Sequence, residues 1–108
     1  MSIKVPLDEL ADAVAGLGPS CFLLTTNNDQ SPHPANVPVR FGDGAFTVSA
    51  GRRSTANCGE RPTVTLLWPT SEPGAMHLLV DGTATVVAAD DGHVVVEPTG
   101  AIWHRQPD

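Results

Sequence analysis

The chain has 108 residues, of which 41% are hydrophobic and 17% charged, and a formal net charge of -6. That length suits one domain with a single modest core, and the acidic balance excludes a broad electrostatic grip on nucleic acid or an anionic membrane, since both require a positive face. Residues 1–6 lack the apolar run of a signal peptide and no stretch approaches the roughly eighteen apolar residues of a membrane span, so a cytoplasmic location is expected.

After Pro6, the residues Leu7, Leu10, Ala11, Val14 and Leu17 recur at helical spacing. Asp8 and Glu9 fall in the first turn and Gly16 and Gly18 can end it, which predicts one amphipathic helix. From Ser20 the pattern changes to short apolar runs separated by turn residues. "CFLLTT", "HPANVPVRF" and "AFTVSA" are divided by residues 27–32 and by Gly42-Asp43-Gly44, a three-stranded meander. In the second of these strands Ala35, Val37, Val39 and Phe41 share one face and Asn36, Pro38 and Arg40 the other, because side chains alternate. Pro38 cannot donate to a ladder, so an edge or a bulge is expected there.

Residues 51–61 follow as a basic bend with room for a short helix. Arg52, Arg53 and Arg61 concentrate there three of the six Lys and Arg residues of the chain. "PTVTLLW" reads as a strand, and a loop with Pro69, Pro73 and Gly74 leads to the most regular strand. There Met76, Leu78, Val80, Ala84, Val86 and Ala88 alternate with His77, Asp81, Thr83 and Thr85. Asp90-Asp91-Gly92 turns the chain into "HVVVEP", and the polar end, residues 104–108, is read as disordered. Six strands and one or two helices predict a mainly β fold, a small antiparallel barrel whose closure removes exposed sheet edges.

Reactive groups are sparse. Cys21 and Cys58, with neither a secretory signal nor metal-type spacing, are read as buried reduced thiols. The histidines His33, His77, His93 and His104 have no ligand spacing, so no metal site is expected. No histidine, cysteine or carboxylate forms an acid-base or nucleophilic dyad. Trp68 and Trp103 either stack on a ring system or lie buried at a strand end or dimer seam.

A strand, a glycine bend with Arg-Arg-Ser, a helical turn and "RPTVTLLWP", preceded by "LLTTNNDQSPHPANVPVRFGDGAFTVSA", resembles the pyridoxamine 5'-phosphate oxidase-like family of flavin-binding split barrels over residues 20 to 90. The resemblance implies a six-stranded, Greek-key split β-barrel of one domain spanning residues 1–108, with an N-terminal helix and a short helix after the third strand. It implies a homodimer with FMN, or a deazaflavin of the F420 type, at the subunit interface. Carried over, Arg53 matches the bend's phosphate-binding arginine and Arg40 the basic residue of the second strand. Thr47 and Val48 match positions whose backbone lies along the cofactor. Asn57, on the bend's helical turn, either meets the ligand or satisfies the backbone. For Arg40 the alternative is a surface charge on the wet face of a strand, and for Arg52 and Arg53 a solvated turn closing onto Glu60.

Three positions depart from the family. Arg52 stands where it has serine, Ser54 where it has lysine, and Ala35 where the true oxidases have another arginine. A charge-assisted hydrogen bond to phosphate contributes about 1.5–3 kcal/mol, so two lost cationic contacts weaken binding by roughly a few powers of ten. Arg52, the hydroxyls of Ser54 and Thr55, and the N–H groups that open the helix offset part of that. His104 and Arg105 do not reproduce the substrate-binding arginine and histidine of the true oxidases, so pyridoxamine phosphate turnover is not expected. The implied function is a flavin- or deazaflavin-dependent oxidoreductase, in which the cofactor supplies the chemistry and the protein its position. The alternatives are a non-catalytic module that holds a flavin, a tetrapyrrole or no cofactor, and a purely structural dimer.

Overall fold

The structure, a computed structural model, describes residues 2–105. Strands β1 (Ser2–Lys4), β2 (Ser20–Thr26), β3 (Pro32–Gly42), β4 (Ala45–Ser49), β5 (Thr63–Trp68), β6 (Met76–Ala88) and β7 (His93–Arg105) accompany two α-helices, α1 (Leu10–Ala15) and α2 (Arg52–Glu60). Pairing is antiparallel throughout, in the order β1-β7-β4-β3-β2-β5-β6, and β6 pairs again with β7 to close a six-stranded barrel. β5 returns beside β2, the first strand of the β2–β4 meander, which is the Greek-key arrangement.

Alternation explains the interior. Cys21 and Leu23 in β2, Phe46 and Val48 in β4, Val64 and Leu66 in β5, Leu78 and Val80 in β6, and Val94 and Val96 in β7 are all buried. Phe46 packs against Phe41 at 4.7 Å and against Trp68 at 5.5 Å between ring centroids. Helix α2 packs over β2, β6 and β7, at the end of the barrel where β4 finishes and β7 begins. Toward the opposite end Val5 N–H donates to Ala101 O, and Leu10 from α1 is fully buried.

The N-terminal helix is shorter than its periodicity predicts. One turn of 3-10 helix (Leu7–Glu9) precedes the six residues of α1. Glu9, at φ -104° and ψ 5°, separates the two, leaving Leu7 45% exposed while Leu10 is sealed. β7 is longer than expected and takes in His104 and Arg105, which the sequence assigned to a disordered end. The rest of that end, residues 106–108, lies outside the described residues.

β3 has two characters. β4 covers only Val39–Gly42 of it, so Pro32–Pro38 pairs with β2 alone among the described residues. Val39 N–H donates to Pro19 O on the β2 side, so the even positions face away from β2. Pro32, Pro34 and Pro38 therefore strip donors from the open edge, which discourages strand addition. The edge expected at Pro38 holds for this half of the strand and not for the remainder.

In the β6–β7 ribbon the register shifts between Asp81 and Gly82. A Cβ at Gly82 would stand 2.6 Å from Val96 Cγ1 and 2.7 Å from Glu97 O, so close backbone approach requires glycine there. Gly82→Ala is expected to lower stability by about 1–3 kcal/mol through overpacking, read as a reduced midpoint of denaturant unfolding with an unchanged slope.

Candidate functional site

The site develops where β4 passes into α2. Ala50 N–H donates to Gly92 O at 2.8 Å, which docks the β6–β7 turn against the chain just before the helix. Gly92 has φ +69°, and a side chain there would overlap the Ala50 carbonyl. Gly51, extended at φ -75° and ψ 177°, begins α2 with no side-chain cap. Thr55 N–H bonds Gly51 O, so the N–H groups of Arg52, Arg53 and Ser54 fall in the first turn, where an α-helix supplies no acceptor.

Two grooves of about 440 Å³ each meet here. The first runs over the outer wall of β3, β4 and β7, with Pro38, Arg40, Thr47, Ser49 and His93 among its lining. Arg40 and Thr47 are direct cross-strand partners. Val48 also borders this groove, yet its side chain is sealed in the core and only its backbone is offered. The second groove lies between the start of α2, with Gly51, Arg52 and Thr55, and the turn carrying Asp90, Asp91 and Gly92. Asp91 borders both. Thr55 is 7% exposed, and its Oγ1 is buried without a hydrogen-bond partner.

A third groove, of about 420 Å³, lies beside the β2–β3 turn and includes Asn28, Asp29, Arg53, Asn57 and Glu60. Ser31 holds the Asp29 carboxyl below its usual range, by its hydroxyl at 2.6 Å and its N–H at 3.0 Å, with a smaller contribution from the Arg53 charge. Asn57 is 3% exposed and fully engaged. It donates to Thr25 Oγ1 at 3.1 Å and Asn27 Oδ1 at 2.9 Å, and its Oδ1 accepts from Arg61 at 3.2 Å. Arg61 also donates to Thr26 O at 2.7 Å and pairs with Glu60 at 3.1 Å.

Of the residues singled out in the sequence, Arg40, Thr47 and the backbone of Val48 thus come together in one groove, and Arg52 borders the groove that adjoins it. Arg53 and Asn57 lie on the hairpin side of α2, and Ser54 is buried, 2% exposed. Ser49, Asp91 and His93 border the first groove although sequence patterning placed them only in strands and turns. Nothing in their spacing distinguishes them, because pairing across β3, β4 and β7 is what assembles the wall. Among the described residues Arg40, Arg52 and Arg53 make no ion pair within 4.0 Å, in a chain with 12 acidic residues.

The remaining candidates are inert. Burial pushes the Cys21 thiol up to about 12 and raises that of Cys58, so both stay protonated at neutral pH. His77 Nδ1 accepts from Thr70 N–H at 2.9 Å, a structural contact. Trp68 lies in the core, and Trp103 packs partly buried against it. Among the described residues no group of three or more His, Cys, Asp or Glu residues is placed to hold a metal ion, and no helix is long and apolar enough to cross a membrane.

No protein-family model matches the chain. Uncharacterized proteins of Mycobacterium bovis and Mycobacterium tuberculosis are each 34% identical to it over 116 residues, covering 94% of the chain and 81% of their own length. The chain belongs to their family. Solved structures identify its fold as the pyridoxamine 5'-phosphate oxidase-like split barrel. A candidate pyridoxamine 5'-phosphate oxidase from Listeria innocua matches at TM-score 0.69 and 16% identity, covering 88% of the chain and 94% of its own. A FAD binding protein from Mycobacterium smegmatis matches at TM-score 0.68 and 13% identity, covering 98% and 99%. The heme storage protein of Vibrio cholerae matches at TM-score 0.68 and 12% identity, covering 94% and 96%.

In this split barrel Asn57 ties α2 to the hairpin through buried contacts. Asn57→Ala is expected to cost about 1–3 kcal/mol of stability, since it leaves Arg61 and the hairpin short of partners. Thermal unfolding followed by circular dichroism measures it.

Proposed function

We propose that the two adjoining grooves hold FMN or a deazaflavin of the F420 type, and that the protein is a flavin- or deazaflavin-dependent oxidoreductase. The observation that carries this reading is Arg52, without an ion pair at the uncapped start of α2, beside the buried and unpartnered Thr55 hydroxyl. The first-turn N–H and guanidinium of Arg52 and the Thr55 hydroxyl, on residues that border one groove, form an anion site of phosphate chemistry. That donor set fits the terminal phosphate of such a cofactor. Arg40 and Thr47 then border the adjoining groove, where a flat ring lies along the β4 backbone at Val48.

A bound flavin or deazaflavin supplies the hydride chemistry. The chain's own contribution is to anchor the anion at α2, orient the ring along the β3–β4 wall and exclude water from one of its faces. No protein nucleophile or base is required, in keeping with the inert thiols. The lack of counterparts to the true oxidases' substrate residues argues against pyridoxamine phosphate as substrate. Heme storage by a protein of this fold favours, as a second reading, a non-catalytic holder of a cofactor. Reduction of the bound cofactor coupled to substrate turnover separates the two.

The second copy that such a site requires has a matching face. Phe22, Leu67, Leu79 and Ile102 are half-buried, alternate with core residues and are consecutive cross-strand partners from β2 through β5 and β6 to β7. An outward apolar row of this kind is suited to an isologous dimer. Leu79→Glu is expected to turn a dimer into a folded monomer by light scattering, and a monomeric wild-type protein contradicts this assignment.

Titration with FMN and with the deazaflavin is expected to give saturable binding of one of them. Arg52→Ala and Arg40→Ala should each weaken it about tenfold or more. Arg53→Ala discriminates between placements. The family resemblance puts the large loss at Arg53, whereas the groove borders put it at Arg52. Absence of binding by both cofactors contradicts the reading.

A further inference from the structure

We propose that Asp91 is a specificity-determining residue of this site, selecting ligands with an uncharged polyhydroxylated segment between a flat ring and a terminal anion. The inference rests on the flavin reading above and goes further by assigning the middle of the ligand. Asp91 is the residue that borders both grooves, so a molecule extending from the β3–β4 wall to the start of α2 passes it. Its position is set by its neighbour. Gly92 is buried with φ +69°, its carbonyl accepts from Ala50 N–H, and no side chain fits at that point. The turn is thereby held against the root of α2, and the exposed Asp91 side chain is carried to the junction.

The chemistry of the group determines what it accepts. An ionised carboxylate offers only acceptor atoms, so hydroxyl donors satisfy it while a phosphate or carboxylate at the same place is repelled. Among the described residues neither Asp90 nor Asp91 forms an ion pair with Arg52 within 4.0 Å, so the guanidinium remains available to an anion one step further along. On the α2 side the far end of the path thus carries donors, at Arg52 and Thr55, across the groove from Asp90, and Asp91 places an acceptor at its middle. A ring, a polyol chain and a terminal phosphate present the complementary order. Asp90 borders only the second groove, whereas the exposed Asp12 of α1 borders none of the three and is the control.

The test compares lumiflavin, which has the ring without a polyol, with riboflavin, which has both, and with FMN, on the wild-type protein, Asp91→Asn and Asp12→Asn. Wild-type protein is expected to prefer riboflavin over lumiflavin about tenfold or more. Asp91→Asn should remove most of that preference and strengthen competition by inorganic phosphate, while Asp12→Asn keeps the preference. Circular dichroism is expected to show both variants folded, and Asp91→Ala provides a second substitution if the amide itself bonds the hydroxyls. An unchanged preference in both Asp91 variants, with wild-type protein still binding FMN, overturns the inference and leaves the flavin reading intact. Failure of the wild-type protein to bind any of the three overturns the inference, and overturns the cofactor reading as well when the deazaflavin also fails to bind.

Discussion

Strand β7 can be shared between two edges because short strands take turns beside it. Along one edge it pairs with β6 over nearly its whole length, and along the other it pairs first with β4, at His93–Val96, and then with β1, at Ile102–His104. Backbone groups in the interior must find partners, and this arrangement supplies them while closing the sheet on itself. It also brings the β6–β7 turn to the end of β4. Without that closure Gly92 would not meet Ala50, and neither groove would have its second wall.

The candidate site is thus a consequence of closure rather than of any one motif. β4 must leave the sheet at Ser49 to make room for the turn, and the chain enters α2 through an extended glycine with no capping side chain. A cap would have consumed the N–H groups that an anion needs. On the hairpin side of the same helix the opposite choice is made, since Asn57 and Arg61 tie α2 to β2 and to Asn27 in the turn after it with contacts between 2.7 and 3.1 Å. One end of α2 is fastened and the other left open.

Most of the barrel was legible because its strands obey period-two patterning, and β6, with Leu78, Val80 and Ala84 inward, is the clearest case. β1 was missed since its three residues are all exposed and carry no pattern. The second half of β7 was missed because Pro98, Thr99 and Gly100 interrupt the alternation, an interruption that the register shift at Asp81 and Gly82 absorbs. At the site, the concentration of Arg52 and Arg53 was visible, but consecutive helical residues point in directions about 100° apart, a divergence that a linear reading does not convey. Asp91 and His93 were invisible as site residues, because pairing between strands distant in sequence is what brings them beside Arg40.

The most direct measurement is the amide NMR spectrum of the labelled protein during addition of FMN or the deazaflavin. The account predicts shifts concentrated at Arg40, Thr47–Ser49, Gly51–Thr55 and Asp91, with the hairpin amides at Asn27–Ser31 little changed. Shifts centred on the hairpin, or none at saturating concentrations of both cofactors, would contradict it.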